Sequence, residues 1–185
     1  AALSPARHRT SRLPSPVSRL PSQVMDPRLT PLAAILDLNT HLFGNCLDGL
    51  SDEQAVTRVV DGTNHVAFLA AHMADSRFFA LKVLGQTVEN PLAPVLAGAK
   101  TLEDVKGPLP LDATRAAWAT VSAALRAALE SLTPEQLDAP STMRFPISDK
   151  TVLGVIAFLV QHDAYHLGQL SLLRRQLGLA GMSYK

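Results

Sequence analysis

The stretch Lys150–Gly178, KTVLGVIAFLVQHDAYHLGQLSLLRRQLG, decides the fold. Val155, Leu159, His162, His166, Leu170 and Leu173 recur at steps of three and four, which places them on one face of an α-helix. Gly178 follows the last periodic residue, where a helix stops most readily. The spacing predicts a helix from about Lys150 to Leu177. Two histidines occupy its middle, where aliphatic residues would continue the stripe. A helix of this kind must bury that stripe against other helices.

Upstream, three further stretches supply partners. Pro27–Leu50 carries Leu32, Leu36, Asn39, Phe43, Cys46 and Leu50 on one stripe. A second helix is predicted to start near Thr63–Asn64, either of which can cap it, and to end at Gly85. A third, Leu111–Leu132, points Trp118, Val121, Leu125, Leu129 and Leu132 inward. Between them, Ser51–Gln54 reads as a capping box, Thr101–Val105 as one helical turn and Thr133–Pro134 as a cap followed by a first-turn proline. Residues 139–149 read as a loop. The prediction is an all-α four-helix bundle, with long second and third connections that favour a crossover topology.

Composition agrees with that class and removes others. The chain has 185 residues with 47% hydrophobic and only 5% aromatic content. A chain of this size buries roughly two-thirds of its unfolded surface, so it needs no disulfide to fold. One Cys excludes a disulfide framework or a CxxC site and suits a reducing cytoplasm. Cys46 itself, on an aliphatic stripe, reads as a small core residue. The longest apolar run, Thr151–Val160, is about half of the ~20 residues that cross a bilayer, so no membrane partner is expected.

Charge divides the chain. Residues 1–24 hold Arg7, Arg9, Arg12 and Arg19 with no acid, and Pro5, Pro14, Pro16 and Pro21 break any helix register. They read as a disordered Arg/Ser/Pro-rich extension, and residues 25–185 as the folded domain. The domain is mildly acidic, with 13 Lys+Arg against 16 Asp+Glu once the four arginines are set aside from the totals. It therefore lacks the basic stripe that phosphate contacts require, and no nucleic-acid partner is expected.

The histidines carry the chemistry. His162 and His166 stand four apart, so their imidazoles share a face and can converge on one ion. Burying two uncompensated imidazoles costs free energy unless each finds a partner. A hydrogen-bonded core role and metal ligation both supply one. On the second helix His65 and His72 are two turns apart, ~10.5 Å along the axis, so one ion cannot easily take both. His72, near mid-helix, is the better third ligand, with His65 as pocket wall or substitute. Asn39, Asp75 and Gln169 are candidates to orient the rings, although Asn39 could fix helix register, Asp75 could be solvated or paired with an arginine, and Gln169 could face a second subunit. Tyr165 and Asp163 fall off the ligand face, and Phe68, Phe78, Phe79 and Trp118 read as core. HDAYH invites comparison with HExxH, but residues 167–185 supply no His, Asp or Glu as a third ligand, which argues against a metalloprotease.

AAHMADSRFF (70–79) and QHDAYHLGQLSLLRRQLG (161–178) resemble the DinB/YfiT-like family of four-helix-bundle metalloproteins over about residues 25–180. The resemblance implies a metal triad of His72, His162 and His166 holding a divalent ion, zinc or nickel foremost, and a cytoplasmic homodimer. It also implies, for some members, transferase or isomerase activity toward a small-molecule substrate with a low-molecular-weight thiol. Many members enter the second helix through a Trp-Ser pair where this chain has Gly62, Thr63, Asn64 and His65, so the pocket mouth differs. Three neutral nitrogens leave a dication with its full charge and an open position, which lowers the pKa of bound water or thiol. Two functions are expected: a metal-dependent thiol transferase or hydrolase, with the thiol chemistry implied by the resemblance, or a non-enzymatic metal-binding stress-response bundle. A helical interaction module without metal is a third. No residue is singled out as catalytic.

Overall fold

A computed structural model describes residues 24–143 and 145–184. The extension expected over residues 1–24 lies, but for Val24, outside the described residues. Seven α-helices follow in order: α1 (Thr30–Leu47), α2 (Asp52–Ala55), α3 (Val66–Val83), α4 (Ala93–Leu96), α5 (Leu111–Ser131), α6 (Pro134–Asp138) and α7 (Val152–Gln176). Among the described residues there is no strand, only an isolated bridge between Pro140 and Thr151.

The four long helices are α1, α3, α5 and α7, as the stripes predict. Their ends follow local chemistry. A 3-10 turn, Pro27–Leu29, precedes α1, and Asp26 accepts from the Arg28 backbone to start it. Ser51–Gln54 and Thr133–Gln136 form reciprocal capping boxes at α2 and α6. Gly85 takes φ +77° just past α3, and Gln86 N donates to Leu81 O at 2.9 Å, closing the helix end. The start of α3 differs from expectation. Neither Thr63 nor Asn64 caps it; His65 does, its Nδ1 accepting from Phe68 N at 3.1 Å.

Each long helix packs on two of the other three, in the cyclic order α1, α7, α3, α5. Contacts fix the directions. Asn39 reaches Val160 and Cys46 reaches Leu167, so α1 and α7 run parallel. Thr40 meets Trp118 while Asp37 meets Arg126, so α1 and α5 are antiparallel. Leu69 lies with Leu173 and Phe79 with Phe158, so α3 and α7 are antiparallel as well. Adjacent α3 and α5 are therefore parallel, and their connection must return the full bundle length as a crossover. The α5–α7 connection instead joins diagonal helices at one end, so the crossover topology expected from the long connections is carried by the α3–α5 link.

The core face of α7 is wider than the expected stripe. Val155, Leu159, Leu170 and Leu173 are buried as predicted, and Ile156, Val160, Asp163, Leu167 and Arg174 are buried beside them. His162 and His166 lie at the edge of this face and are half-buried. Two charges therefore sit where aliphatic residues would be expected. Arg174 Nη1 donates to Asn45 O, Cys46 O and Asp48 O at 2.8, 2.8 and 3.0 Å, satisfying the end of α1. Asp163 is fully buried against Arg77 of α3, whose Nε and Nη2 donate to its Oδ2 at 3.0 and 2.7 Å. The same guanidinium donates to Thr40 Oγ1 (2.8 Å) on α1 and Ser122 Oγ (2.6 Å) on α5, and stacks 3.6 Å over the Trp118 ring. One side chain thus ties all four long helices together.

Candidate metal centre

His72 from α3 and His162 and His166 from α7 meet between the two antiparallel helices. His72 Nε2 lies 3.2 Å from His162 Nε2, which lies 3.1 Å from His166 Nε2. Each ring offers a nitrogen within 4.8 Å of the other two. A neutral imidazole nitrogen has one in-plane site, so His162 Nε2 cannot form good hydrogen bonds to both neighbours. An ion can satisfy all three. Bonds of ~2.0–2.1 Å in a tetrahedral set separate two nitrogens by about 3.3 Å, close to both observed spacings.

The surroundings prepare the rings as ligands. His166 Nδ1 is 2.6 Å from Gln169 Oε1, which can only accept, so Nδ1 carries the proton and Nε2 keeps a free lone pair. Gln169 Nε2 in turn donates to Tyr165 Oη at 3.4 Å. Among the described residues His162 Nδ1 is buried without a hydrogen-bond partner, and the ring packs against Phe158, whose centroid lies 6.2 Å away. Phe68 stacks beside His72 with ring centroids 6.1 Å apart. Burial, reinforced by the neighbouring His166, pushes His72 and His162 down to about 4, and burial lowers His166 against the opposing pull of Gln169. All three are neutral at pH 7, as ligation requires.

These shifts set a pH dependence for the metal-free protein. Unfolded imidazoles titrate near ~6.5, so between there and about 4 the unfolded chain binds protons that the folded one refuses. Stability is then full above the unfolded value and is lost as pH falls through this window. Burial raises Asp163 to about 6 against the pull of Arg77, which works the other way, but it is one group against three. The Tm of chelator-treated protein should fall over this range, and His162→Gln should flatten the slope. A Tm that does not change between pH 6.5 and 4 would contradict the assignment of these rings as neutral and buried.

The other expected site residues divide. Gln169 joins the triad directly. Removing its oxygen in Gln169→Ala should weaken metal binding by about 10–100-fold, read by competition with a chromophoric chelator. Asp75 does not touch the rings; it accepts from Asn90 Nδ2 at 2.7 Å and shares a cavity with His162. Asn39 sits on α1 and donates to Val160 O at 3.1 Å, a contact between helices rather than with a ring. His65 caps α3 and lines a separate depression with Val56 and Leu102. Cys46 is fully buried, its thiol pushed up to about 11 by burial, consistent with a core residue and not a nucleophile. Phe79, expected in the core, is 40% exposed and lines the cavity beside His162.

That cavity, about 180 Å³, lies between α3 and α7 and is walled by Phe79, Phe145, Phe158, Leu159, Ser76 and the His162 ring. Sequence reasoning did not anticipate Phe145 or Phe158, whose loop and flanking positions gave no periodic signal. It also missed Arg77. An arginine between Ala74 and Phe78 in an apolar run was a readable sign of a buried, paired charge.

The same four-helix arrangement recurs in a solved protein. A DinB-like protein from Bacillus cereus ATCC 10987 superposes with a TM-score of 0.63 at 19% identity, covering 88% of this chain and 98% of that one. The family profile of the DinB superfamily matches residues 35–170, most of the chain. The chain belongs to the DinB superfamily. No curated protein matches it. The span matched includes all three convergent histidines and stops just past Gln169. Among the described residues, no helix is long and apolar enough to cross a membrane.

Proposed function

We propose that the protein is a divalent-metal enzyme whose three imidazoles hold zinc or nickel and which transfers a low-molecular-weight thiol, or water, to an electrophilic substrate. The observation that carries this reading is that one of the three convergent imidazoles, His162, also lines an open, largely apolar cavity. A structural metal site would be closed. When bound, the ion supplies charge that lowers the pKa of a thiol or water joining it.

The residues of the chain do the rest. His72, His162 and His166 stay neutral and hold their nitrogens convergent without a large movement. Gln169 fixes which nitrogen of His166 faces inward. The apolar wall excludes water, which favours a carbon electrophile over hydrolysis when the nucleophile is a thiol. In that reaction the sulfur–carbon bond forms as the bond to the leaving group breaks, the leaving group departs with the electron pair, and the thiol proton goes to solvent. A reducing cytoplasm, where such thiols persist, fits this reading, and so does the absence of a reactive thiol at Cys46. Exposed Ile35 and Leu38 on α1 are the face we assign to a homodimer.

The test uses protein purified without a polyhistidine tag. About one equivalent of divalent metal per chain, and thiol-dependent turnover of an electrophilic substrate that His166→Ala abolishes while the fold persists, are expected. Metal binding without turnover in any thiol screen would leave a binding bundle. Metal below about a tenth of an equivalent would overturn the metal reading.

A further inference from the structure

The chain has six phenylalanines. Phe43, Phe68 and Phe78 are buried in the core, as their apolar rings favour. The other three are not. Phe79 is exposed, Phe145 and Phe158 are half-buried, and all three gather around the cavity beside His162. Phe145 and Phe158 have ring centroids 5.1 Å apart, and Phe79 and Phe145 6.5 Å apart. Three aromatic rings kept out of the core, around one opening next to a polar triad, form a binding surface rather than a packing accident.

The surroundings hold Phe145 there. It lies on the loop between α6 and α7, and nothing in its local sequence would order it. The bridge between Pro140 and Thr151 closes the loop, with Ser141 N donating to Lys150 O at 2.7 Å and Val152 N to Ala139 O at 3.0 Å. The Lys150 ammonium then donates to Phe145 O at 2.9 Å and to Ile147 O, fixing the backbone that carries the ring.

We propose that this cavity is the seat of a single aromatic ring of the substrate, so that the electrophile is a monocyclic aromatic or benzylic compound reacting at an atom next to the ring. The inference rests on the metal reading above for the chemistry, but not for the binding. Size supports it: an apolar cavity of ~150 Å³ is enough for benzene, and this one is about 180 Å³. Chemistry supports it too, because offset and edge-to-face contacts with ring centroids 4.5–7 Å apart reward an aromatic guest over an aliphatic one of equal area. Asp75 and Phe79 also border a neighbouring cavity of about 470 Å³ lined by polar Lys82, Gln86 and Asn90, which adjoins the aromatic one.

The experiment separates the ring pocket from the metal. 4-Fluorobenzyl alcohol, which carries no strong metal-binding group, is titrated into the full chain, metal-free and zinc-loaded, and followed by fluorine NMR. Saturable binding in both states is expected, displaced by benzyl alcohol and about tenfold less well by cyclohexylmethanol. Phe145→Ser, on a loop outside the core, should weaken the probe by about tenfold with zinc affinity unchanged, and Phe158→Leu, of similar bulk, should weaken it by a smaller factor. Binding of the probe without zinc binding would keep the ring pocket and defeat the metal reading. Zinc binding without saturable probe binding, or equal binding by the aromatic and saturated alcohols, would overturn the ring pocket and leave the triad standing.

Discussion

Asp163→Ala should destabilise the protein by about 3–5 kcal/mol, because it strands the Arg77 guanidinium in the interior without its counter-charge. For a chain of this size that is a Tm loss of about 6–20 °C, with the urea midpoint falling and the m-value unchanged. The cost arises from burial. Both side chains are fully inaccessible, and the pair's Coulomb attraction must offset two desolvation penalties. Thr40, Ser122 and the face of Trp118 share the guanidinium, but none of them supplies a negative charge. The double variant Arg77→Met with Asp163→Leu should regain most of the loss, since neither charge is then left alone. A single-variant loss under about 1 kcal/mol would show that water reaches the pair.

His162→Ala is expected to have the largest effect on the centre itself. It removes the ring that stands within 3.1–3.2 Å of both others. Losing an outer partner of a ligand typically costs about 10–100-fold in affinity, so losing the ligand itself should cost more than about a hundredfold. Wild-type protein given zinc at about a hundred times its Kd should gain about 2.7 kcal/mol, or ~5–10 °C in Tm, and the variant should gain less than about 0.4 kcal/mol. His65→Ala is the matched control. It should leave zinc binding unchanged and cost about 1 kcal/mol, the worth of a helix cap. A zinc-induced Tm shift that survives His162→Ala would place the ion elsewhere.

The centre was legible as far as helical geometry reaches. His162 and His166 share a face because they are four apart, and His72 stands at the middle of its own helix; neither fact depends on packing. Gln169 could be found in the same way, three residues beyond His166. Asn39, Asp75 and His65 show where that reasoning ends. Each is a polar residue near an apolar stripe or helix start; Asn39 and Asp75 met partners distant in sequence, Val160 O and the Asn90 amide, while His65 became the local cap on Phe68 N. The Phe145–Phe158 wall was invisible because its members come from a loop and a helix flank.

Residue order alone determined the four long helices, the glycine stops of α3 and α7 and which histidines can face the same way, since periodicity and caps act within a few turns of one chain. Tertiary packing decided how wide the buried face of α7 became. Beyond the expected Val155, Leu159, Leu170 and Leu173 it takes in Asp163 and Arg174, which meet the Arg77 cation and the carbonyls ending α1. The two histidines lie at the edge of that face, beside His72 and an open cavity. A stripe drawn on one helix cannot reveal this. How much of a helix is buried is a property of the neighbours that surround it.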